Sequence, residues 1–469
     1  MKGRKIVSTL LALLLFAGVP AAALAAEWDI GNGDITVNAG SGGQTVTQGG
    51  GAAVEDNDPI ITGSSQENTV TINAEKDQTA NVTLSDVYID VSGKSEAAVT
   101  TTGDGNVSIE LDGESTLKGG YKHAGLEKNN VGSLTIGDTD KDGKLTAKGG
   151  QYGAGIGGGY NGNGSDISIT SGEVNATGGT SGAGIGGGYN GNGSDITITD
   201  GEVNATGGKY GAGIGGGEYG IGKDIIITGG EVNATGGRFS AGIGGGSRGT
   251  GSDIKITGGE VNASGGVNGA GIGGGLRSKG NDITVSGDTK LKVQGGDEDN
   301  YDGAGAGIGD GGSNAYGTKI LGAEVEPGTS GLTTGRIEYY APGADMENDT
   351  PISTTTGKPT EPAEPEQPEA ERGAAAPLYR VTDRDGRDIA CTAEQKGGML
   401  TVTVDADFAV LTGRLSGMTA LRAQGVEKII FVTNGAKTAV KLSTIISKLT
   451  ANGVFRLTHD GKAATFTLG

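Results

Sequence analysis

The sequence predicts an all-β protein dominated by a right-handed, single-stranded parallel β-helix of 29-residue coils. Three observations carry that expectation. The hexapeptide Ala-Gly-Ile-Gly-Gly-Gly begins at residues 154, 183, 212, 241 and 270, a constant step of 29. Each of the first four copies leads into Asp-Ile-x-Ile-Thr and then Glu-Val-Asn-Ala-(Thr/Ser)-Gly-Gly, short segments that alternate with period two. Glycine, at 97 of 469 residues, is too dense for helix interiors and lacks the three-residue period of collagen.

From the N-terminus, residues 1–26 read as an export signal. Lys2, Arg4 and Lys5 form a basic head, Ile6 to Phe16 an apolar core, and Ala23-Leu24-Ala25 a small-residue cleavage site. The apolar run is too short for a membrane span, and no second run of spanning length follows, so no transmembrane segment is expected in the mature chain. A secreted or cell-surface location is the resulting expectation.

Residues 27–341 form the predicted β-helix. Residues 27–80, with Trp28, are expected to be an irregular cap, because an open solenoid end exposes unpaired backbone. Degenerate coils are expected at Val82-Leu84, Val107-Ile109 and Leu134-Ile136, regular repeats over 150–296, and a late coil around Ile320-Leu321. About nine coils stacked at the strand spacing give a rod roughly 40 Å long. Ile167, Ile169, Val174, Ala176, Ala154 and Ile156 should face inward and Ser168, Thr170, Glu173, Asn175 and Thr177 outward. Identical spacing then stacks like residues into ladders across coils.

Residues 342–376 are an acidic, proline-rich linker, in which Pro359, Pro362, Pro365 and Pro368 interleave with Glu361, Glu364, Glu366, Glu369 and Glu371. Ordinary composition returns over 377–469, a small α+β domain whose role the sequence does not reveal. Strands are expected at 399–404 and 428–433, and a hairpin at 454–457 and 464–468. A helix is expected over 405–424, with Phe408, Leu411, Leu415 and Met418 on one face.

Charge and rare residues exclude several function classes. A formal net charge of −20, more negative once a basic leader is removed, disfavours nucleic acid, which demands clustered Lys and Arg. The single cysteine, Cys391, excludes an intrachain disulfide. Two histidines, His123 and His459, leave little for imidazole-based catalysis or metal ligation. Gly153-Ala-Gly155-Ile-Gly-Gly158 spells a dinucleotide fingerprint, but no helix-forming sequence follows it.

The Gly-rich coils (Gly-Ala-Gly-Ile-Gly-Gly-Gly, Asp-Ile-Thr-Ile-Thr, Gly-Glu-Val-Asn-Ala-Thr-Gly-Gly) resemble those of secreted carbohydrate-binding-domain proteins of Gram-positive bacteria. Those proteins share the pectate-lyase-like β-helix architecture. The resemblance covers roughly residues 65–325. It implies binding of plant or cell-wall polysaccharide, with calcium as a common companion, while the fold alone does not fix the activity.

Candidate sites follow from residue type and spacing. Asp138, Asp140 and Asp142, followed by Gly143, set carboxylates at alternate positions of a tight loop that could converge on calcium. The twelfth position of that loop is Gly149 rather than a bidentate Glu, so a full EF-hand is not expected. Tyr152, Tyr210 and Phe239 share one repeat position, Tyr160 and Tyr189 another, and Tyr219 lies one place off. Such rings can stack on sugar faces while Glu173, Glu202, Glu231 and Glu260 bond hydroxyls.

Columns of Asp (166, 195, 224, 253, 282) and Glu repel by roughly 3 kcal/mol per neighbour at an effective dielectric of 20. Turn amides or bound cations must offset that. The basic residues of the repeats (Lys209, Lys223, Arg238, Arg248, Lys255) read as scattered among columns, so no lyase base cluster is expected.

The combined expectation is a non-catalytic, calcium-stabilised polysaccharide-binding protein. A structural or adhesive surface protein with the β-helix as stalk is the alternative, and a polysaccharide lyase a minor one. Flat-surface or ice binding through Thr170, Thr199, Thr228 and Thr257 is a further minor reading.

Overall fold

The computed structural model describes residues 25–357, except 316–317 and 330–331, and residues 379–468, except 385–386, 388, 397, 415–417, 419–420, 423–425 and 447–453. The core and head of the expected signal segment, and the Pro/Glu run 359–371, lie outside the described residues. The chain divides into two compact units, Met1–Pro362 and Ala363–Gly469.

The first unit is a β-solenoid whose three sheets, in the order the chain visits them, hold ten, eleven and twelve strands. One repeat supplies one strand to each sheet. Gly164–Ile169 joins the first, Glu173–Thr177 the second and Ile185–Gly186 the third, before Gly193–Ile198 returns to the first. Pairing is parallel with a 29-residue offset: Ile167 on Ile196, Val174 on Val203 and Ile185 on Ile214. Each coil alone would leave its apolar side open, and stacking closes it. Ile167, Ile169, Val174, Ala176, Ala154 and Ile156 are all fully buried, as their alternation requires.

Glycine is needed where coils approach most closely. A Cβ on Gly179 would run into the carbonyl oxygen of Gly150, and one on Gly208 into that of Gly179. Gly186 takes φ of 130°, a backbone state closed to ordinary L side chains, at the end of the short third-sheet strand.

The early coils fall in the first sheet as expected, where Val82 stacks on Ile109 and Ile109 on Ile136. Two boundary expectations change. Residues 27–80 are not an irregular cap: Glu27–Asp29 pairs in parallel with Ile60–Thr62, and Ile35–Gly40 with Val70–Ala74. Ile35, Val37 and Ala39 alternate inward like any coil strand. Capping falls to the antiparallel strands Gly43–Gln48 and Val54–Glu55. Trp28 packs against the core and its Nε1 donates to Asp56 at 2.8 Å. At the other end Thr318–Ile320 pairs antiparallel with Ser313–Ala315, leaving Ile320 and Leu321 exposed, so the expected late coil is absent there. The second sheet instead continues through Arg336–Tyr340 and ends on antiparallel Ser353–Thr356.

The second unit is nearly all β, with two four-stranded sheets. Strands at Met399–Thr403 and Lys428–Val432 and the hairpin Val454–Asp460 with Ala463–Leu468 match expectation. The expected helix over 405–424 is corrected in its first half only, since the described residues Met418, Leu421 and Arg422 are helical. Phe408–Arg414 is a strand paired antiparallel with Val454–Asp460, and Ala409 and Leu411 bury by strand alternation. Leu415 lies outside the described residues. A five-residue helix, Leu442–Ile446, occurs elsewhere. Among the described residues no helix is long and apolar enough to cross a membrane.

Candidate functional site

The coil has chemically distinct corners, and the candidate residues separate between them. The corner joining the first and second sheets is acidic. Here Asp138 is buried, its Oδ1 accepting from the Lys141 amide at 2.8 Å and its Oδ2 from the Gly143 amide at 2.9 Å. Ser171 Oγ donates to the Asp138 carbonyl at 2.8 Å and ties this turn to the next coil. Asp138 is thus a turn organiser, while Asp140 and Asp142 are exposed.

One carboxylate oxygen from each of the three lies within 4.8 Å of the others. Hydrogen bonding first to Asp142 and then to Asp138 holds the Asp140 carboxyl above its usual range. A hard cation suits such an all-oxygen set. The corner opens as a cleft of about 370 Å³, lined also by Glu114, Glu173, Asp200 and Glu202, with Lys141 and Lys144 among them.

Glu173, Glu202, Glu231 and Glu260 stack in register at the start of the second-sheet strands. The structure therefore groups them with the acidic corner, not with the rings. Lysines bracket the column: Lys144 pairs with Glu173 at 2.8 Å below, and Lys290 with Glu260 at 3.6 Å above. The hydrogen bonds from Lys144 and Asn175 hold the Glu173 carboxyl below its ordinary range.

Beside this column runs an asparagine ladder. Nδ2 of Asn204 donates to Asn175 Oδ1 at 3.0 Å, Asn233 to Asn204 at 2.9 Å, and Asn262 to Asn233 at 2.8 Å. Asn175 ends the chain on Glu173 at 2.8 Å. A 29-residue Asn period was the signal for it, because coil stacking brings equal amides within bonding reach.

The Asp column is not a turn feature. Asp166, Asp195, Asp224, Asp253 and Asp282 sit within first-sheet strands at φ of 52–55°, and the pairing skips them as a bulge would. Among the described residues only Asp224 of the five forms an ion pair, with Lys223 at 3.2 Å.

The turns flanking the third sheet carry the aromatics. Tyr152 and Tyr160 have centroids 5.5 Å apart, Tyr152 and Tyr189 5.5 Å, and Tyr160 and Tyr189 5.4 Å in a stacked pair. Tyr121 extends the cluster on one side at 5.2 Å and Tyr219 on the other at 6.0 Å. Tyr210 stacks on Phe239 at 5.8 Å. Backbone bonds explain the grouping: the Tyr160 amide donates to Lys122, and the Tyr189 amide to Tyr152, so two turns of successive coils meet. Tyr121 was missed because it lies 31 residues before Tyr152, two places off the 29-residue step.

Under this cluster lies a buried polar group that the sequence did not disclose. Glu127 replaces the glycine of later coils, pairing in register with Gly157. It accepts from the Ala124 amide at 3.0 Å and from Asn129 Nδ2 at 2.9 Å, and His123 Nδ1 lies 2.9 Å away.

The family model described as beta helix repeat matches residues 141–160, 167–189, 196–218, 225–247 and 254–276. No curated protein matches the chain, and no solved structure does. With repeat match and stacked coils agreeing, the chain is a parallel β-helix protein.

Proposed function

We propose that this protein is an extracellular, non-catalytic carbohydrate-binding rod whose acidic corner takes calcium. The observation that carries the reading is the continuous tyrosine cluster from Tyr121 to Tyr219, partly exposed along one edge of a rigid solenoid. The ring centroids lie 5.2–6.0 Å apart, mostly edge to face, and the exposed Tyr121, Tyr160 and Tyr219 offer apolar ring surface to the faces of successive sugars. A repeating surface engages a repeating ligand through weak contacts that add by multivalency. Calcium would take oxygens of Asp140 and Asp142 together with the remaining lone pairs of Asp138, replacing carboxylate repulsion by attraction.

A glycan array probed with residues 27–469, with calcium and with chelator, tests the reading. Signal on polysaccharides that survives removal of the C-terminal unit supports it. A blank array under both conditions overturns it. Signal that requires residues 377–469 favours the stalk reading instead, in which the rod serves only to present the second unit; its separation into its own core is what recommends that alternative.

A further inference from the structure

Four cations stand over rings along the aromatic edge. Lys122 Nζ lies 4.8 Å over the Tyr160 ring and Lys209 Nζ 4.8 Å over Tyr210. Arg238 Cζ lies 5.0 Å over Phe239 and Arg248 Cζ 5.7 Å over Tyr219. The basic residues are thus less scattered than the sequence reading has them. Lys209 and Arg238 are one repeat apart, and so are Arg248 and Arg277. Arg277 is committed to Asp302 through two bonds of 2.8 and 3.0 Å. Lys122, Lys209, Arg238 and Arg248 are all exposed, and none forms an ion pair among the described residues. Two acids lie nearby without an ion pair to these cations among the described residues: Glu218 accepts from Ser181 at 2.7 Å, and Asp299 feels the Arg238 charge.

From this juxtaposition we infer that the edge selects an acidic polysaccharide, one whose pyranose units carry carboxylates. The inference rests on the carbohydrate reading above and narrows it. Aromatic faces demand a ring-shaped sugar, which argues against phosphate-linked open-chain polymers. Cations held over the rings put a positive charge directly beside each aromatic contact, where the acid group of a passing sugar can meet it. Tyr152 and Tyr210 stand two coils apart, about 9.6 Å at the strand spacing, so one extended chain can meet several platforms. The Glu and Asp columns on the other faces repel the same ligand and leave the basic edge as its landing place.

The test is an array of alginate, hyaluronate and polygalacturonate oligosaccharides beside their carboxyl-reduced, neutral counterparts, read with the wild-type chain and two variants. Changing Lys209, Arg238 and Arg248 together to Gln removes charge at exposed positions. Changing Tyr152, Tyr160, Tyr189 and Tyr210 to Ala removes the platforms. Melting curves check that both variants are folded. Expected is binding of at least one acidic glycan that weakens with salt, falls at least about tenfold in the triple Gln variant, and exceeds its neutral counterpart by a similar factor. Equal binding of acidic and neutral forms, lost only in the tyrosine variant, overturns the charge selection and leaves the carbohydrate reading standing. No binding to either form overturns both.

Discussion

Nδ1 of His123 and Oε2 of Glu127 lie 2.9 Å apart, beneath the tyrosine cluster and in a coil where later repeats need no such pair. The hydrogen bond to Glu127 raises the imidazole above its ordinary value. Burial pushes the Glu127 carboxyl up, but the bonds from His123 and Asn129 outweigh it, and the net displacement is downward. The raised His contributes stability at low pH that is lost as pH rises through its folded value. The lowered Glu contributes stability at high pH that is lost as pH falls through its own. The pair therefore helps most between the ordinary values of 4.5 and 6.5. Melting temperature of wild type minus that of His123→Gln should be largest in that window and shrink toward alkaline pH. A difference that grows above neutrality would contradict the pairing.

Ile198 is fully buried between Ile169 and Ile227 of the adjoining coils. Ile198→Asp should cost more than about 4 kcal/mol, because an unpaired carboxylate would sit in the stacked core. Ile198→Val should cost about 1 kcal/mol. Denaturant unfolding of both variants measures the contrast.

Gly179→Ala tests the close stacking of coils. Its methyl group would meet the Gly150 carbonyl, so backbone must shift, at about 3 kcal/mol. Thr180→Ala, one residue on and exposed, should stay within about 0.5 kcal/mol of wild type.

Calcium should raise the melting temperature by mass action on the folded state. Asp140→Ala should remove most of the rise. Asp138→Ala should instead destabilise even in chelator, since the Lys141 and Gly143 amides lose their acceptor. An unchanged calcium response in Asp140→Ala would place the ion elsewhere on the chain.

Much of the rod was legible because its determinants are periodic. Ile167 and Ile196 declare both their face and their neighbour by spacing alone, and the tyrosine positions follow from the same count. What escaped reading was aperiodic or context-dependent. Ile35, Val37 and Ala39 form a coil strand without the Gly-rich signature, so the first coils looked like a cap. Phe408 and Leu411 fit a helical face as well as a strand, and only the partner Val454–Asp460 decides between them. The Glu column and the rings share one repeat, yet Glu173 opens a strand and the ring-bearing turns lie past its other end, a separation that spacing along the chain does not convey. Lys209 and Arg238 gain meaning only once Tyr210 and Phe239 are seen beneath them.

The uniform register of Glu173 through Glu260 between Lys144 and Lys290 has a genetic corollary. Every junction inside that bracket is the same junction, so duplicating or deleting one whole 29-residue unit by unequal exchange rebuilds identical contacts. The asparagine chain lengthens by one link and the core by one layer, while both lysine ends stay in place. A cut of any other size would slide each inward isoleucine off its partner. Rod length in this protein is therefore a quantity that can change in whole steps at little energetic penalty, and natural variants should differ by multiples of that unit.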